Sequence, residues 1–167
     1  ERITENEFQI RAEDKYLRAT QEGETVRFDC SEEEFETFWK YYFDLERDYG
    51  IYIEAIDPED TYLKTAAELG SGIRILNQDL WEMIVSFLIS QQNNIFRIRK
   101  CIDRISRRYG EEKRAADGTV YHAFPTAEAL SQATEEELRD CNLGYRAKYV
   151  RDTALRVASG EVDLAVI

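Results

Sequence analysis

Four consecutive side-chain amides, Gln91 to Asn94, lie between an apolar stretch and a basic one. The stretch before them ends in SFLIS, and the stretch after them, IFRIRK, carries arginines at helical spacing. Each amide has donors and acceptors that are costly to bury unpaired, so the run must be exposed or hydrogen-bonded. Two interpretations stay open from spacing alone. The run is either a solvated turn capped by Asn93 or Asn94, or a hydrogen-bonding tip that reads base edges, with Arg97 one turn later.

The charge of the chain is unevenly distributed, and this decides whether a polyanionic partner is possible. The 167 residues carry a net charge of −12, and the first 70 hold 20 acidic and 8 basic residues. The remaining residues hold 14 of each, and residues 97–114 hold eight basic and three acidic side chains. Phosphate binding depends on local clusters of Lys and Arg, so a nucleic-acid partner is not excluded. Arg104, Arg107 and Arg108 in this cluster are either a solvated face or phosphate contacts.

The composition indicates a folded protein with a core. Apolar residues make up 43% of the chain and aromatic residues 12%, which is too much for a disordered chain. No window approaches the roughly 18 apolar residues of a membrane span, and the first residues lack the layout of a signal peptide. We therefore expect a soluble protein with no membrane partner. Cys30, Cys101 and Cys141 are far apart in sequence, which favours free thiols over disulfides or a zinc site; we predict no metal and no cofactor.

The first part of the chain predicts a sheet followed by helices. EFQIRA, KYLRAT and TVRFDC alternate apolar and polar residues and are separated by turn residues, which indicates three strands. Ser31 followed by Glu34 is typical of a helix N-terminus and precedes aromatic residues at helical spacing. A further short helix ends at Gly70, and Gly72 interrupts the chain again. We place a domain boundary near residue 72.

From residue 73 onward the pattern predicts helices only. Asp79 and Glu82 form a second predicted capping box, and Thr126 and Thr134 are predicted caps of two short helices. Residues 146–159 have the pattern of a final amphipathic helix. The fold class predicted for the whole chain is therefore α+β.

Several stretches together resemble one family. GIRILNQDLWEMIVSFLISQQNNIFRIRK, YHAFPT and LGYRAKYV are similar to the 8-oxoguanine DNA glycosylases of the helix-hairpin-helix superfamily, and FWKYYFDLERDYG resembles the family's first domain. The resemblance implies a TBP-like antiparallel sheet domain with helices at residues 1–72. It implies the first part of an all-α helix-hairpin-helix glycosylase domain at residues 73–167. The partner that it implies is double-stranded DNA containing oxidised guanine, with the damaged base turned out of the stack. We expect a cytoplasmic monomer, associated with the nucleoid if the source is bacterial.

The resemblance also assigns DNA-binding roles to six residues. They are Gln92, Asn93, Asn94, Arg97, Tyr145 and Arg146. Gln92 stands where the family usually has the first of three Asn residues, which enters the gap left by the damaged base. Arg97 and Arg146 match arginines that hydrogen-bond the orphan cytosine, and Tyr145 matches the aromatic wedge beside it. The additional methylene of Gln92 moves its amide by about a bond length, which we expect to alter the base favoured opposite the lesion.

The family's chemistry resembles attack by a lysine amine on the sugar, with an aspartate nearby. That lysine lies in a hairpin reading roughly L-P-G-x-G-x-K-x-A, and no Gly-x-Gly-x-Lys occurs in the 167 residues. We therefore assign no catalytic residue to the chain, expect the lysine and aspartate beyond Ile167, and predict that the chain alone is inactive. Lys113 and Lys148 lack the desolvated setting that lowers a lysine pKa. His122 matches a family position but receives no catalytic role.

Three hypotheses about function stay open at this point. The first is base-excision repair by an N-glycosylase with AP lyase activity, which removes 8-oxoguanine by base flipping; this chain would be its scaffold and orphan-base-binding part. The second is a non-enzymatic module that binds distorted or damaged DNA through the same residues. The third makes the acidic first part of the chain a protein-interaction surface.

Overall fold

The chain begins with a three-stranded antiparallel sheet, seen in a computed structural model that describes residues 1–166. Its strands, in spatial order, are β1 (Glu7–Ala12), β2 (Lys15–Glu22) and β3 (Thr25–Phe28). The second turn contains Gly23 at φ 66°, a left-handed conformation that glycine adopts without steric cost. The three predicted strands are confirmed.

Short helices packed on aromatic side chains make up residues 30–77, which form one compact unit. The helical segments are α1 (Glu32–Glu34), a π-helical turn (Phe35–Trp39), α2 (Lys40–Tyr42), α3 (Gly50–Glu54) and α4 (Thr61–Leu69). The predicted cap is confirmed, because the Ser31 hydroxyl accepts a hydrogen bond from the backbone N–H of Glu34 at 3.1 Å. The Glu34 carboxylate does not return to the cap; it accepts from the indole N–H of the fully buried Trp39 at 2.7 Å.

Longer helices form most of the remaining chain. They are α5 (Leu80–Ser90), α6 (Ile95–Tyr109), α7 (Ala127–Ser131), α8 (Glu135–Leu138), a π-helical turn (Arg139–Leu143), α9 (Arg146–Ala158) and a 3-10 turn (Leu164–Val166). The caps predicted at Asp79, Thr126 and Thr134 are confirmed by side-chain acceptance of backbone N–H groups. Val85 and Ile89 of α5 lie in one fully buried cluster with side chains from α6 and α9. Among the described residues no helix is both long and apolar enough to cross a membrane.

One segment of this part is not helical, so the prediction of helices alone after residue 73 is wrong there. β4 (Glu112–Arg114) and β5 (Val120–His122) form an antiparallel hairpin, with Gly118 at φ 85° in its turn. Asp117 followed by Gly118 is a favoured hairpin dipeptide, but strands of three residues are too short to show an alternating pattern. The α+β fold class is confirmed.

The three-stranded sheet belongs to the same compact unit as the longer helices. One compact unit contains Glu1–Asp29 together with the residues from Gln78 onward, and the other is Cys30–Asn77. Within the first unit the backbone of Glu13 bonds twice, since its N–H donates to Glu82 Oε2 at 3.1 Å and its carbonyl accepts from the N–H of Phe124 at 3.0 Å. This grouping follows contacts and not chain order, so the predicted division into residues 1–72 and 73–167 stays a prediction.

Glu82 supplies a testable pH dependence. Its carboxyl is largely buried, and burial raises its pKa, with Asp79 and Glu13 acting in the same direction. A raised pKa in the folded state makes a stabilising contribution that is complete below the ordinary glutamate pKa of about 4.3 and is lost as the pH rises through the raised value. We expect Glu82→Gln, which keeps an acceptor for Glu13 but does not titrate, to make the melting temperature fall less between pH 4 and pH 7. Parallel melts of both proteins measure this, and an equal fall in both would contradict it.

Candidate nucleic-acid interface

The four amides connect the end of α5 to the start of α6. Asn94 caps α6, since its Oδ1 accepts from the N–H of Arg97 at 3.0 Å. Asn93 donates from Nδ2 to the carbonyl of Ile89 at 3.0 Å and accepts from the N–H of Asn94 at 3.0 Å. Gln91 donates from Nε2 to a carbonyl of α5 at 3.3 Å. These three amides therefore hold the turn itself.

Gln92 differs from its neighbours because its side chain is exposed and has no hydrogen-bond partner within residues 1–166. Its backbone lies in the left-handed region at φ 49°, which is uncommon for a residue other than Gly, Asn or Asp. The two interpretations of the amide run thus apply to different residues. The asparagines cap and brace the turn, while the Gln92 amide is presented to solvent.

Arg146 holds this loop from inside the protein. Its side chain is 6% exposed, and its guanidinium donates from Nε to the carbonyl of Gln91 at 2.8 Å and from Nη2 to the carbonyl of Gln92 at 2.9 Å. These are carbonyls at the C-terminal end of α5, where no helical N–H is available and a positive charge is favourable. The family resemblance assigned Arg146 only to the orphan base. The sequence did not reveal this contact, which joins residues more than 50 positions apart.

A sharp turn brings Arg146 to the loop. Asn142 at φ 72° and Gly144 at φ 60° both have left-handed backbone, and α9 begins immediately afterwards. The thiol of Cys101 on α6 donates to the carbonyl of Asn142 at 3.3 Å, which fixes the turn against α6. Burial raises the pKa of this thiol. None of the three cysteines forms a disulfide within residues 1–166.

Tyr145 presents an aromatic ring beside the amide loop. Its side chain is 49% exposed, its hydroxyl donates to the carbonyl of Gln91 at 3.3 Å, and the Arg146 guanidinium lies 4.5 Å from its ring centroid. Tyr149, one turn further along α9, is also exposed, with its ring centroid 6.5 Å from that of Tyr145. The ring is fixed at its hydroxyl and at one face, and its remaining surface is open to a ligand.

The two predicted arginines differ in their surroundings. Arg97 lies on the first turn of α6, is exposed, and forms no ion pair with any described residue. Arg146 is buried and committed to backbone carbonyls. Arg97 can therefore meet a ligand without first breaking contacts within the protein, whereas most of the N–H groups of Arg146 are already engaged.

Apolar side chains around the loop are exposed, and sequence reasoning missed them. Ile95 is 68% exposed and Phe96 is 77% exposed. The spacing of Ile95, Ile98, Ile102 and Ile105 predicts one packed stripe of α6. For Ile95 that prediction is wrong, because the helix begins at this residue and its first turn extends past the core. Phe96 is an aromatic residue off the apolar stripe and next to Arg97, and this is the sequence signal that could have revealed the exposed apolar side chains.

The lysine and histidine candidates do not form a catalytic group with this loop. Lys113 lies on β4 and its amine contacts Asp14 Oδ2 at 2.7 Å, a hydrogen bond that raises the lysine pKa. Lys148 is exposed on α9. His122 is half-buried on β5, and its Nδ1 has no hydrogen-bond partner. Among the described residues no group of three His, Cys, Asp or Glu side chains could hold a metal ion.

Replacing Gln92 by asparagine should stabilise the loop. Asparagine tolerates left-handed backbone better than glutamine, so we expect Gln92→Asn to raise the free energy of unfolding by up to about 1 kcal/mol. The shorter amide should also change the ranking of bases opposite an abasic analogue. Thermal melts and binding to four duplexes, one for each opposite base, measure both effects.

The matched control is Gln91→Asn, the same chemical change at the preceding residue, where φ is an ordinary −57°. It should neither raise the free energy of unfolding nor change the ranking of opposite bases. An equal rise in the free energy of unfolding in both variants would show that the left-handed backbone of Gln92 is not the cause.

Two family profiles together match residues 2–165. The sequence profile for the 8-oxoguanine DNA glycosylase N-terminal domain matches residues 2–84, and that for the HhH-GPD superfamily of base excision DNA repair proteins matches residues 85–165. An N-glycosylase/DNA lyase of Saccharomyces cerevisiae is 36% identical over 155 residues, which cover 88% of this chain and 40% of that protein. A probable N-glycosylase/DNA lyase of Methanothermobacter thermautotrophicus is 27% identical over 145 residues, covering 75% of this chain and 45% of the relative. The chain spans less than half the length of these curated relatives.

Solved structures agree with the profiles. The apo form of Clostridium acetobutylicum 8-oxoguanine glycosylase/lyase superposes with a TM-score of 0.90 at 39% identity, covering 99% of this chain and 58% of that one. The same enzyme in complex with dsDNA containing cytosine opposite 8-oxoG also gives 0.90, with 57% of its chain covered. A 3-methyladenine DNA glycosylase of Archaeoglobus fulgidus shares the fold, with a TM-score of 0.63 at 23% identity.

Proposed function

Because the chain belongs to the 8-oxoguanine DNA glycosylase family of the helix-hairpin-helix superfamily, we propose that its protein is a base-excision N-glycosylase with AP lyase activity on 8-oxoguanine in duplex DNA. In this proposal residues 1–167 are the scaffold and hold the site left by the extruded base. One observation carries it. The unpaired Gln92 amide, the unpaired Arg97 guanidinium and the exposed Tyr145 ring all adjoin a single clamped loop.

Extrusion of a base leaves an unpaired partner and a gap in the stack, at a cost on the order of a few kcal/mol. The Gln92 amide, which has no internal partner, enters that gap and hydrogen-bonds base edges. The Arg97 guanidinium donates to the acceptor atoms of the orphan cytosine. The Tyr145 ring replaces part of the lost stacking. Together these contacts offset the cost of extrusion.

Arg146 has a different part in this proposal. Most of its N–H groups are engaged by carbonyls of the loop and by the carbonyl of Leu143, to which Nη1 donates at 3.5 Å. An additional contact between Arg146 and the orphan cytosine, which the resemblance implies, uses the remaining N–H of Nη1. Asn93 and Asn94 act on the DNA through the shape of the turn that they brace. A monomeric protein, a cytoplasmic location and the absence of a cofactor stay predictions.

The second candidate is a binding module for distorted or damaged DNA without catalysis. The observation that favours it is the setting of the six lysines, none of which is buried. An amine nucleophile needs a desolvated or charge-perturbed site that lowers its pKa, and Lys40 and Lys113 instead have raised pKa values because carboxylates contact them.

Borohydride trapping separates the two candidates. The full-length protein that carries this chain is incubated with a duplex containing one 8-oxoguanine opposite cytosine, and borohydride reduces any Schiff base to a stable protein–DNA adduct. A glycosylase/lyase gives a covalent adduct that is absent with the undamaged duplex, whereas tight binding without an adduct or base release identifies the binding module. The 167 residues alone should bind but release no 8-oxoguanine; turnover by them would contradict our assignment of no catalytic residue to the chain.

A further inference from the structure

One face of α6 carries basic side chains that have no acidic partner within the described part of the chain. Arg97, Lys100 and Arg104 form no ion pair with any residue among the 166 that the structure describes. Their spacing of three and four residues places them along one face of the helix. The face begins at the amide loop and runs away from it.

The other basic residues at the end of α6 are engaged. Arg107 pairs with Asp103 at 2.8 Å, and Arg108 pairs with Glu137 at 3.1 Å. Asp103, the single acidic residue of α6, is also shared with Arg11 of β1 at 3.4 Å. The acidic charge of this region is thus used by other arginines, and Lys100 and Arg104 keep an uncompensated positive charge in a protein whose net charge is −12.

The spacing of these charges fits a nucleic-acid strand. A helical rise of 1.5 Å per residue puts Lys100 about 4.5 Å and Arg104 about 10 Å beyond Arg97 along the axis. One strand of B-DNA carries a phosphate about every 3.4 Å of helix axis. Lys100 is exposed and Arg104 is half-buried. At these distances the two long cationic side chains can reach phosphates within about three nucleotides of a base that contacts Arg97.

We propose that Lys100 and Arg104 bind backbone phosphates of the strand whose unpaired base meets Arg97, which extends the DNA contact along α6 by two helical turns. This inference rests on the proposed function for the position of the orphan base. The contact is independent of sequence, because phosphates are the same at every base. It holds the intact strand in register while the loop occupies the gap.

The dependence of binding on salt tests this directly. Each phosphate contact contributes about 0.9 to the slope of log K against log salt concentration. For the purified protein and a duplex with an abasic analogue opposite cytosine, K100A combined with R104A should lower the magnitude of this slope by about 1.8. The double variant should lose the same factor in affinity for damaged and undamaged duplexes. K100R combined with R104K should keep the wild-type slope.

Lys64→Ala is the matched control, since Lys64 is an exposed lysine of α4 in the other compact unit and its removal should leave the slope unchanged. Lys100 is exposed, so K100A alone, with an expected decrease of about 0.9, is the test if the double variant does not fold. An unchanged slope in folded K100A and in the folded double variant overturns the phosphate contact. A wild-type protein that does not prefer the abasic duplex would instead overturn the proposed function, so the two failures are distinguishable.

Discussion

Replacing Arg146 by alanine is expected to lower the free energy of unfolding by about 2–3 kcal/mol and to remove the preference for damaged duplex. A hydrogen bond from a charged group contributes about 1.5–3 kcal/mol, and a buried acceptor left without a partner adds a penalty. The guanidinium serves the carbonyls of both Gln91 and Gln92, so its loss releases the end of α5. The loop that presents Gln92 should then become disordered.

Arg151→Ala is the control for this variant. Arg151 lies on the same helix, is half-buried, and donates from Nε to a single carbonyl, that of Ala133, at 3.0 Å. Its loss should cost about 1 kcal/mol and leave DNA binding unchanged. Arg146→Lys keeps the charge but cannot donate in a planar fork, so an intermediate result is expected. Denaturant unfolding and duplex binding measure both quantities, and an Arg146→Ala protein as stable as the wild type would contradict the clamp.

Arg97→Ala should weaken binding to a duplex with an abasic analogue opposite cytosine by about 10- to 100-fold. A bidentate arginine–base contact discriminates by about 1–3 kcal/mol, and the Arg97 side chain has no ion pair among the described residues to lose. Stability should therefore stay at the wild-type value. The loss should be greatest with cytosine opposite the gap, because the cytosine carries acceptors that suit a guanidinium. Fluorescence anisotropy with four duplexes, one for each base opposite the gap, measures this loss of affinity.

The control is Arg99→Ala, which removes the same charge from α6 two residues later, on another side of the helix. It should change affinity equally for every opposite base. If Arg97→Ala and Arg99→Ala gave the same pattern across the four bases, the contribution of Arg97 would be that of a general positive charge.

Local features of the fold were predictable from the sequence, and contacts between distant residues were not. Ser31, Asp79 and Thr134 cap helices because the residues that they bond are three positions away, within the reach of a motif. The bond from Glu13 to Glu82 joins residues 69 positions apart. Glu82, three residues after Asp79, predicted a complete capping box, but its carboxylate accepts instead from the backbone N–H of Glu13, in the turn between β1 and β2.

The candidate site shows the same division. The identity of the loop residues predicted an amide turn, and the family resemblance assigned DNA-binding roles to six residues, which stay predictions. Neither could show that Asn93 and Asn94 are consumed in bracing the turn, that Gln92 is left-handed, or that Arg146 lies inward. The inward position of Arg146 follows from how the start of α9 meets the end of α5, after the sharp turn at Gly144.

The comparison of two duplexes tests the central claim, that this loop grips a gap in the base stack. Dissociation constants are measured at one salt concentration for a duplex with a single abasic analogue opposite cytosine and for the same sequence fully paired. The gap in the first duplex already exists, so the cost of extrusion, a few kcal/mol, is avoided. We predict at least about tenfold tighter binding to the abasic duplex, which 1.4 kcal/mol of that cost supplies. Equal affinity for the two duplexes would contradict the account.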